Sequence, residues 1–309
     1  MTCFTPVFTR AASMAAIVIG MALPVMAQDM VLTHPQGQTV LAETPAQVFV
    51  TDWAAFDNLT ALGVPVAGLP DSNIPGYLAD QLPEDALRIG SLMEPDFEAI
   101  ANARPDLVII AARSRTAYPT MSQIAPTYDA TVDNAALIDE VKARLTTYGE
   151  VFGVQDRAAE LIGNLDAKLA EARAAAEGRG TGLVIVTNAG KIGIYGPASR
   201  VAWIYDELGV PSVFDSVDDR DHGGDAISFE YLAEQNPDWL FVVDRDAGTG
   251  SGQGEAARAL LDNELIHDTT FWSKGQMIFL DPTAAYVTMH GYQGIMLLLD
   301  QVIAGYQAR

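Results

Sequence analysis

The sequence predicts an α/β protein of two similar lobes with mainly parallel sheets flanked by helices, joined by one long rigid helix. Three observations predict it. An ordered set of segments occurs twice: Val48-Phe49-Val50-Thr51-Asp52 is echoed by Val184-Ile185-Val186-Thr187-Asn188, and Leu62-Gly63-Val64-Pro65 returns as Leu208-Gly209-Val210-Pro211. Further along, Phe97-Glu98, Ala101, Pro105-Asp106 and Arg113 recur as Phe229-Glu230, Ala233, Pro237-Asp238 and Arg245. A long ordered repeat means duplicated lobes, whereas a solenoid shows many short periods. Each copy alternates short β-branched strands with amphipathic helices and holds one continuous apolar run, the mark of a parallel strand buried on both faces. The stretch between the copies is rich in helix formers, not in the Gly and Ser of a flexible linker.

At the amino end, Arg10 precedes an apolar run from Ala11 to Leu23 that is too short to span a bilayer, and Val25-Met26-Ala27 is a small-residue cleavage site. Residues 1–27 therefore read as an export signal, cut after Ala27. The sole cysteine, Cys3, lies ahead of the apolar run, so neither a lipid anchor nor a disulfide is expected after cleavage. An exported chain without disulfides must rely on its core for stability.

The first lobe is expected over residues 38–153. It opens with a strand from Gln47 to Thr51 and turns at Leu62-Gly63-Val64-Pro65, where Gly and Pro end a helix. A helix from Phe97 to Ala103, Pro105-Asp106 and an apolar strand from Leu107 to Ile110 follow, then a fainter element from Ala125 to Tyr128 and a helix from Ala135. Residues 154–178 form the interlobe helix after a break at Gly153. Leu161, Leu165 and Leu169 share one face of it, and Arg157, Glu160, Asp166, Lys168, Glu171 and Arg173 decorate the rest. Such a rod spans about 30 Å at 1.5 Å per residue and predicts limited hinge motion. The second lobe, residues 179–309, repeats the theme with strands from Leu183 to Val186, Trp239 to Val243 and Gln276 to Leu280. It adds a helix from Phe229 to Gln235, a turn at Asp281-Pro282 and a closing helix from Val287 to Tyr306. Gly248 to Gly254 is glycine-rich but matches neither G-x-G-x-x-G nor the P-loop, so it reads as a flexible surface loop.

A net charge of -22, from 18 basic against 40 acidic residues, argues against nucleic acid or an anionic membrane as partner. It also makes clustered arginines a sign of an anionic ligand. Arg113 and Arg245 each follow a buried parallel strand, and open α/β sheets bind ligands beyond the carboxyl ends of their strands. Arg200 ends the segment from Gly190 that the first half lacks. Arginine suits the task because its planar fork stays charged and binds anionic oxygen in bidentate fashion. His222 lies in the loop Asp219 to Gly224, and Tyr286 follows Asp281-Pro282 at the mouth of the last strand. A lone histidine is ordinarily a surface residue, the reading given to His34, His267 and His290, and a lone tyrosine is ordinarily half-buried packing. A phenolate, however, is a hard oxygen that ferric iron favours. No Gly-x-Ser-x-Gly elbow or His-x-x-x-His pair is present, and no cysteine follows Cys3.

Several of these segments together carry a resemblance. They are Gly90-Ser91-Leu92-Met93-Glu94-Pro95-Asp96-Phe97-Glu98-Ala99-Ile100, the stretch from Pro105 to Arg113, Tyr195-Gly196-Pro197-Ala198-Ser199-Arg200, His222-Gly223, the stretch from Asn236 to Arg245, and Asp281-Pro282 with Tyr286. From about residue 38 onward the chain resembles the periplasmic substrate-binding proteins of ATP-driven iron-siderophore uptake, the ferric-catecholate binders in particular. The resemblance implies the class III periplasmic-binding-protein architecture, with a ligand in a shallow interlobe cleft. It implies a periplasmic monomer that is not an enzyme, with no permanent cofactor, carrying an Fe(III)-siderophore to the permease of an ABC importer in the inner membrane. Arg113, Arg200 and Arg245 match the triad that neutralises the anionic chelate. His222 and Tyr286 match the pair that completes iron coordination, and Glu98 and Glu230 the acids, one per lobe, that dock on the permease. The chain departs from the family in having Ala284-Ala285 where bulky aromatics are common before the tyrosine. Trp53, Tyr195 and Trp203 are open between cleft lining and core. A haem- or corrinoid-binding relative and a two-lobed siderophore hydrolase stand as the alternatives.

Overall fold

The computed structural model describes residues 1–3, 29–196, 199–214, 217, 223–250 and 256–308. Most of the expected export signal, and His222, lie outside the described residues. A hairpin, β1 (Met30–His34) and β2 (Gly37–Leu41), precedes the first lobe and begins ahead of the expected boundary at residue 38. The first sheet holds β3 (Val48–Val50), β4 (Gly68–Leu69), β5 (Leu87–Arg88), β6 (Leu107–Ile110) and β7 (Thr127–Asp129). Its order is β5-β4-β3-β6-β7, parallel throughout. The second holds β8 (Gly182–Asn188), β9 (Lys191–Tyr195), β10 (Asp225–Ile227), β11 (Trp239–Asp244) and β12 (Met277–Phe279), in the order β10-β9-β8-β11-β12. Here β8, β11 and β12 are parallel, while β9 pairs antiparallel with β8 on one side and β10 on the other. The unrepeated segment after Gly190 thus makes a hairpin strand.

The repeated residues mostly hold the frame. Gly63 and Gly209 both adopt left-handed backbone, φ 78° and 69°, and Gly63 caps the helix Trp53–Leu62. The Pro-Asp pair explains itself in the same way. Asp106 accepts hydrogen bonds from Ala46 N and Gln47 N at 3.0 and 2.7 Å, and Asp238 accepts one from Thr181 N at 2.9 Å. Each aspartate ties the start of its lobe's central strand to the next. The helices Phe97–Ala103 and Phe229–Gln235 begin at Asp96 and Ser228, whose side chains accept from backbone N–H groups three residues on.

A helix Leu137–Phe152 stops at Gly153 (φ 69°), and Gln155–Ala176 then runs to the second lobe with Leu161, Leu165 and Leu169 buried. At about 1.5 Å per residue it is about 33 Å long. The last helix, Tyr292–Gln307, packs along it, and Lys168 pairs with Asp300 at 2.8 Å. One apolar cluster therefore runs from Val50 and Trp53 through Leu165 to Val184, Phe241 and Tyr306, joining both lobes. The far face of each sheet has a core of its own. No helix among the described residues is long and apolar enough to cross a membrane.

Two expectations are corrected. The closing helix does not start at Val287: a short helix, Pro282–Tyr286, comes first, and Tyr292–Gln307 begins only after Gly291. A Cβ at Gly291 would press on the Asp57 carboxylate, the group that receives the new helix's N–H bonds. Gly248 is not surface loop either. It lies buried in a short helix, Arg245–Thr249, where a side chain would collide with the Pro282 carbonyl; residues 251–255 fall outside the described residues.

Candidate functional site

The three candidate arginines come from three places in the chain and meet at one tyrosine. Arg113 stands in the turn after β6, which is closed by Ser114 N donating to Ala111 O and by the 2.6 Å contact of Ser114 Oγ with Thr51 Oγ1. Its Nη2 donates to the Tyr286 carbonyl at 2.8 Å and its Nη1 to the Val287 carbonyl at 3.1 Å, so it reaches from the first lobe to the second. Arg200, 7% exposed, donates from Nη1 to the same Tyr286 carbonyl at 3.2 Å. Arg245, at the end of β11, donates from Nε to Tyr286 Oη at 2.9 Å and from Nη1 to Asn188 Oδ1 at 2.7 Å. The Tyr286 ring lies 6.0, 4.5 and 5.4 Å from the guanidinium carbons of Arg113, Arg200 and Arg245. A quadrupole with its negative face toward cations favours such a gathering.

Burial lowers the Arg113 pKa and nearby Arg200 adds to the fall, while Asp52 and Tyr286 oppose it. Arginine starts so far above neutrality that it keeps its proton. The cluster therefore offers guanidinium donors drawn from both lobes, and among their partners are neutral carbonyl, amide and phenol oxygens. An anionic oxygen is a stronger acceptor than any of these.

Behind Arg113 lies a polar network that sequence reasoning missed. Asp52 Oδ1 accepts from Ala54 N and Ala55 N, each at 3.0 Å, and meets His290 Nε2 at 3.2 Å. Burial alone would raise this carboxyl, but His290, Arg113 and the Ala55 N–H hold it below the usual carboxylate range. Asp57 accepts from Gln293 N at 2.7 Å, Gly294 N at 2.9 Å and the Tyr77 hydroxyl at 2.7 Å. Asn58 Nδ2 donates to His290 O, and Asn58 Oδ1 accepts from Tyr292 N. Burial pushes the Asp57 pKa up to about 6 despite these bonds.

The surface reading of His290 is thereby corrected, since His290 is 4% exposed and faces Asp52. His34 is corrected too: the last residue of β1, it is buried, with Thr39 and the rings of Tyr118 and Tyr128 around it. His267 is exposed, beside Asp262. Trp53, Tyr195 and Trp203 are core. The signal for Asp52 was present in the repeat, where it ends the first copy's strand as Asn188 ends the second's. Glu98 and Glu230 lie exposed in the first turns of the helices Phe97–Ala103 and Phe229–Gln235, where the helix dipole favours a carboxylate. Backbone and Ser228 hydrogen bonds hold Glu230 below its usual range.

Residues 48–284 match the family described as "Periplasmic binding protein". The chain is a member of that family. Among the relatives of this periplasmic binding protein is the petrobactin-binding protein YclQ of Bacillus subtilis, 34% identical over 87% of this chain and 85% of that one. The crystal structure of YclQ superposes with a TM-score of 0.85, covering 91% and 99% of the two chains at 32% identity. The ferric-anguibactin-binding protein FatB of Vibrio anguillarum is 31% identical over 90% and 88%. The siderophore-binding protein BauB, bound to two acinetobactin molecules and ferric iron, matches at 28% identity and a TM-score of 0.83, over 91% and 100%. These relatives are binding proteins rather than enzymes, and their iron chelates are ligands rather than cofactors.

Proposed function

We propose that this periplasmic binding protein captures an anionic Fe(III)-siderophore between its lobes and delivers it to an ABC importer. The observation that carries the reading is the convergence of Arg113, Arg200 and Arg245 on Tyr286. Three guanidiniums repel one another, and a polyanion in their midst relieves that repulsion while it gains charge-assisted hydrogen bonds. The chelate's negative oxygens take over donors that the Tyr286 and Val287 carbonyls hold. Tyr286 Oη then reaches iron where the siderophore leaves a position open, with His222 as the second protein ligand. The likeness to petrobactin- and ferric-anguibactin-binding proteins supports a ferric siderophore as the ligand. The chain works in the periplasm as a monomer after loss of residues 1–27, without a lipid anchor, and docks on the permease through Glu98 and Glu230.

The test is a fluorescence titration of the chain without residues 1–27 against ferric petrobactin, ferric anguibactin and ferric enterobactin. Quenching of tryptophan emission at sub-micromolar chelate is expected for at least one. No quenching by any of the three sinks the reading.

A further inference from the structure

The two lobes end their central strands alike in sequence but not in contact. In the repeat, Thr51-Asp52 corresponds to Thr187-Asn188. In the second sheet Thr187 pairs with Asp244, which brings Asn188 opposite Arg245, and the amide oxygen takes Arg245 Nη1 at 2.7 Å. In the first sheet Val50 pairs with Ile109, so Asp52 comes opposite Ala111, short of Arg113. The carboxylate turns instead onto Ala54 N, Ala55 N and His290. The register decides which strand-end residue meets its arginine.

Asn188 is also firmly held. It opens the turn Ala189-Gly190 between β8 and β9, where both residues have positive φ, 49° and 75°, the geometry of a two-residue hairpin turn. Asp246 Oδ2 accepts Ala189 N at 2.6 Å and fixes that turn. The far end of the amide is neighboured by Gly223, whose ideal Cβ would stand 3.5 Å from Asn188 Nδ2. Arg245 is thus gripped at two corners, by Asn188 and by Tyr286 Oη.

The choice of amide over acid matters here because carboxylates already flank Arg245. Asp246 Oδ1 stands 3.9 Å from the same Nη1. Asp244 accepts Ala247 N at 3.0 Å and Ala257 N at 2.9 Å. A carboxylate at position 188 would add one more negative charge at hydrogen-bond distance and cancel what the guanidinium offers an anion. We infer that Asn188 is the positioning residue of Arg245, a neutral amide that aims the guanidinium without neutralising it. The inference rests on the ferric-siderophore reading of the cleft.

The test titrates wild type, Asn188→Asp and Asn188→Ala with the same three ferric chelates, at low and high salt. Going from about 20 mM to about 500 mM NaCl shrinks the Debye length from about 20 to about 4 Å. Asn188→Asp is expected to weaken the tightest chelate at least about tenfold at low salt, the deficit falling to about threefold at high salt, because its effect is charge. Asn188→Ala is expected to lose about threefold at both salts, because it frees the guanidinium without changing charge. Wild-type affinity for Asn188→Asp at low salt overturns the inference, as does an equal, salt-independent loss in both variants, which marks a merely structural residue. If Asn188→Asp fails to fold, Asn188→Ala decides: unchanged affinity in a variant that melts like wild type overturns it. A wild type that binds none of the three chelates fails the siderophore reading itself, a separate outcome.

Discussion

The proposed recognition rests on single side chains, and their present partners say how it would work. Arg113 and Arg200 share the Tyr286 carbonyl, and Arg245 holds its hydroxyl. Replacing any of the three with alanine removes charge-assisted bonds worth about 1.5–3 kcal/mol each, so a loss of about ten- to a hundredfold in chelate affinity is expected, larger at low salt. Titration at two salt concentrations checks this, and unchanged affinity in all three variants refutes the triad. Tyr286→Phe is expected to shift the visible absorption band of the bound iron chelate; an unmoved band removes the phenol from the metal. The two strand-end arginines were singled out by the duplication, and Arg200, Tyr286 and the two glutamates by the family resemblance. His290 was not. Its partner Asp52 lies 238 residues away, and a histidine between Met289 and Gly291 carries no local sign of burial.

Elements were most legible where their stops and starts are local. Phe97–Ala103 and Phe229–Gln235 fall where the pattern put them, since each has a capping side chain before it and a proline soon after. The last helix began later than expected because its cap comes from the other lobe. Asp57 and Asn58, on Trp53–Leu62, receive the N–H groups of Tyr292, Gln293 and Gly294, and no window of sequence around residue 290 contains that information. Asp57→Ala leaves two helix N–H groups short of an acceptor and takes from the Tyr77 hydroxyl one of its two partners, Thr288 Oγ1 being the other. It is expected to destabilise the fold by about 2–3 kcal/mol, measured by urea unfolding. A change within about 0.5 kcal/mol, the usual range for a surface substitution, would contradict the cap.

At the scale of the molecule, the same latch is expected to make the stability of the fold depend on pH. The interlobe helix was legible as a stiff rod, but the second tie was not: the last helix binds the first lobe at its start and the second at its end, where Tyr306 meets Trp239. Asp57 sits at the first of these ties with its pKa raised to about 6 by burial. A raised carboxyl binds protons more readily in the folded chain than in the unfolded one, so its contribution to stability grows as pH falls from about 6 toward the ordinary 3.8 and is lost as pH rises again. Groups with a lowered pKa, His34 and Asp52 among them, oppose it on acidification. His34 has its pKa lowered, first by burial, so its contribution fades as pH falls below the ordinary 6.5. Asp52, held low by His290 and Arg113 against its burial, loses its contribution as pH falls below the usual carboxylate range. Comparing wild type with Asp57→Asn isolates the first term, because both chains keep His34 and Asp52. The stability of wild type relative to Asp57→Asn is expected to be about 2 kcal/mol greater at about pH 4.5 than at about pH 7.5. A difference that stays constant across that range places the Asp57 carboxyl at an ordinary pKa and leaves the latch insensitive to pH.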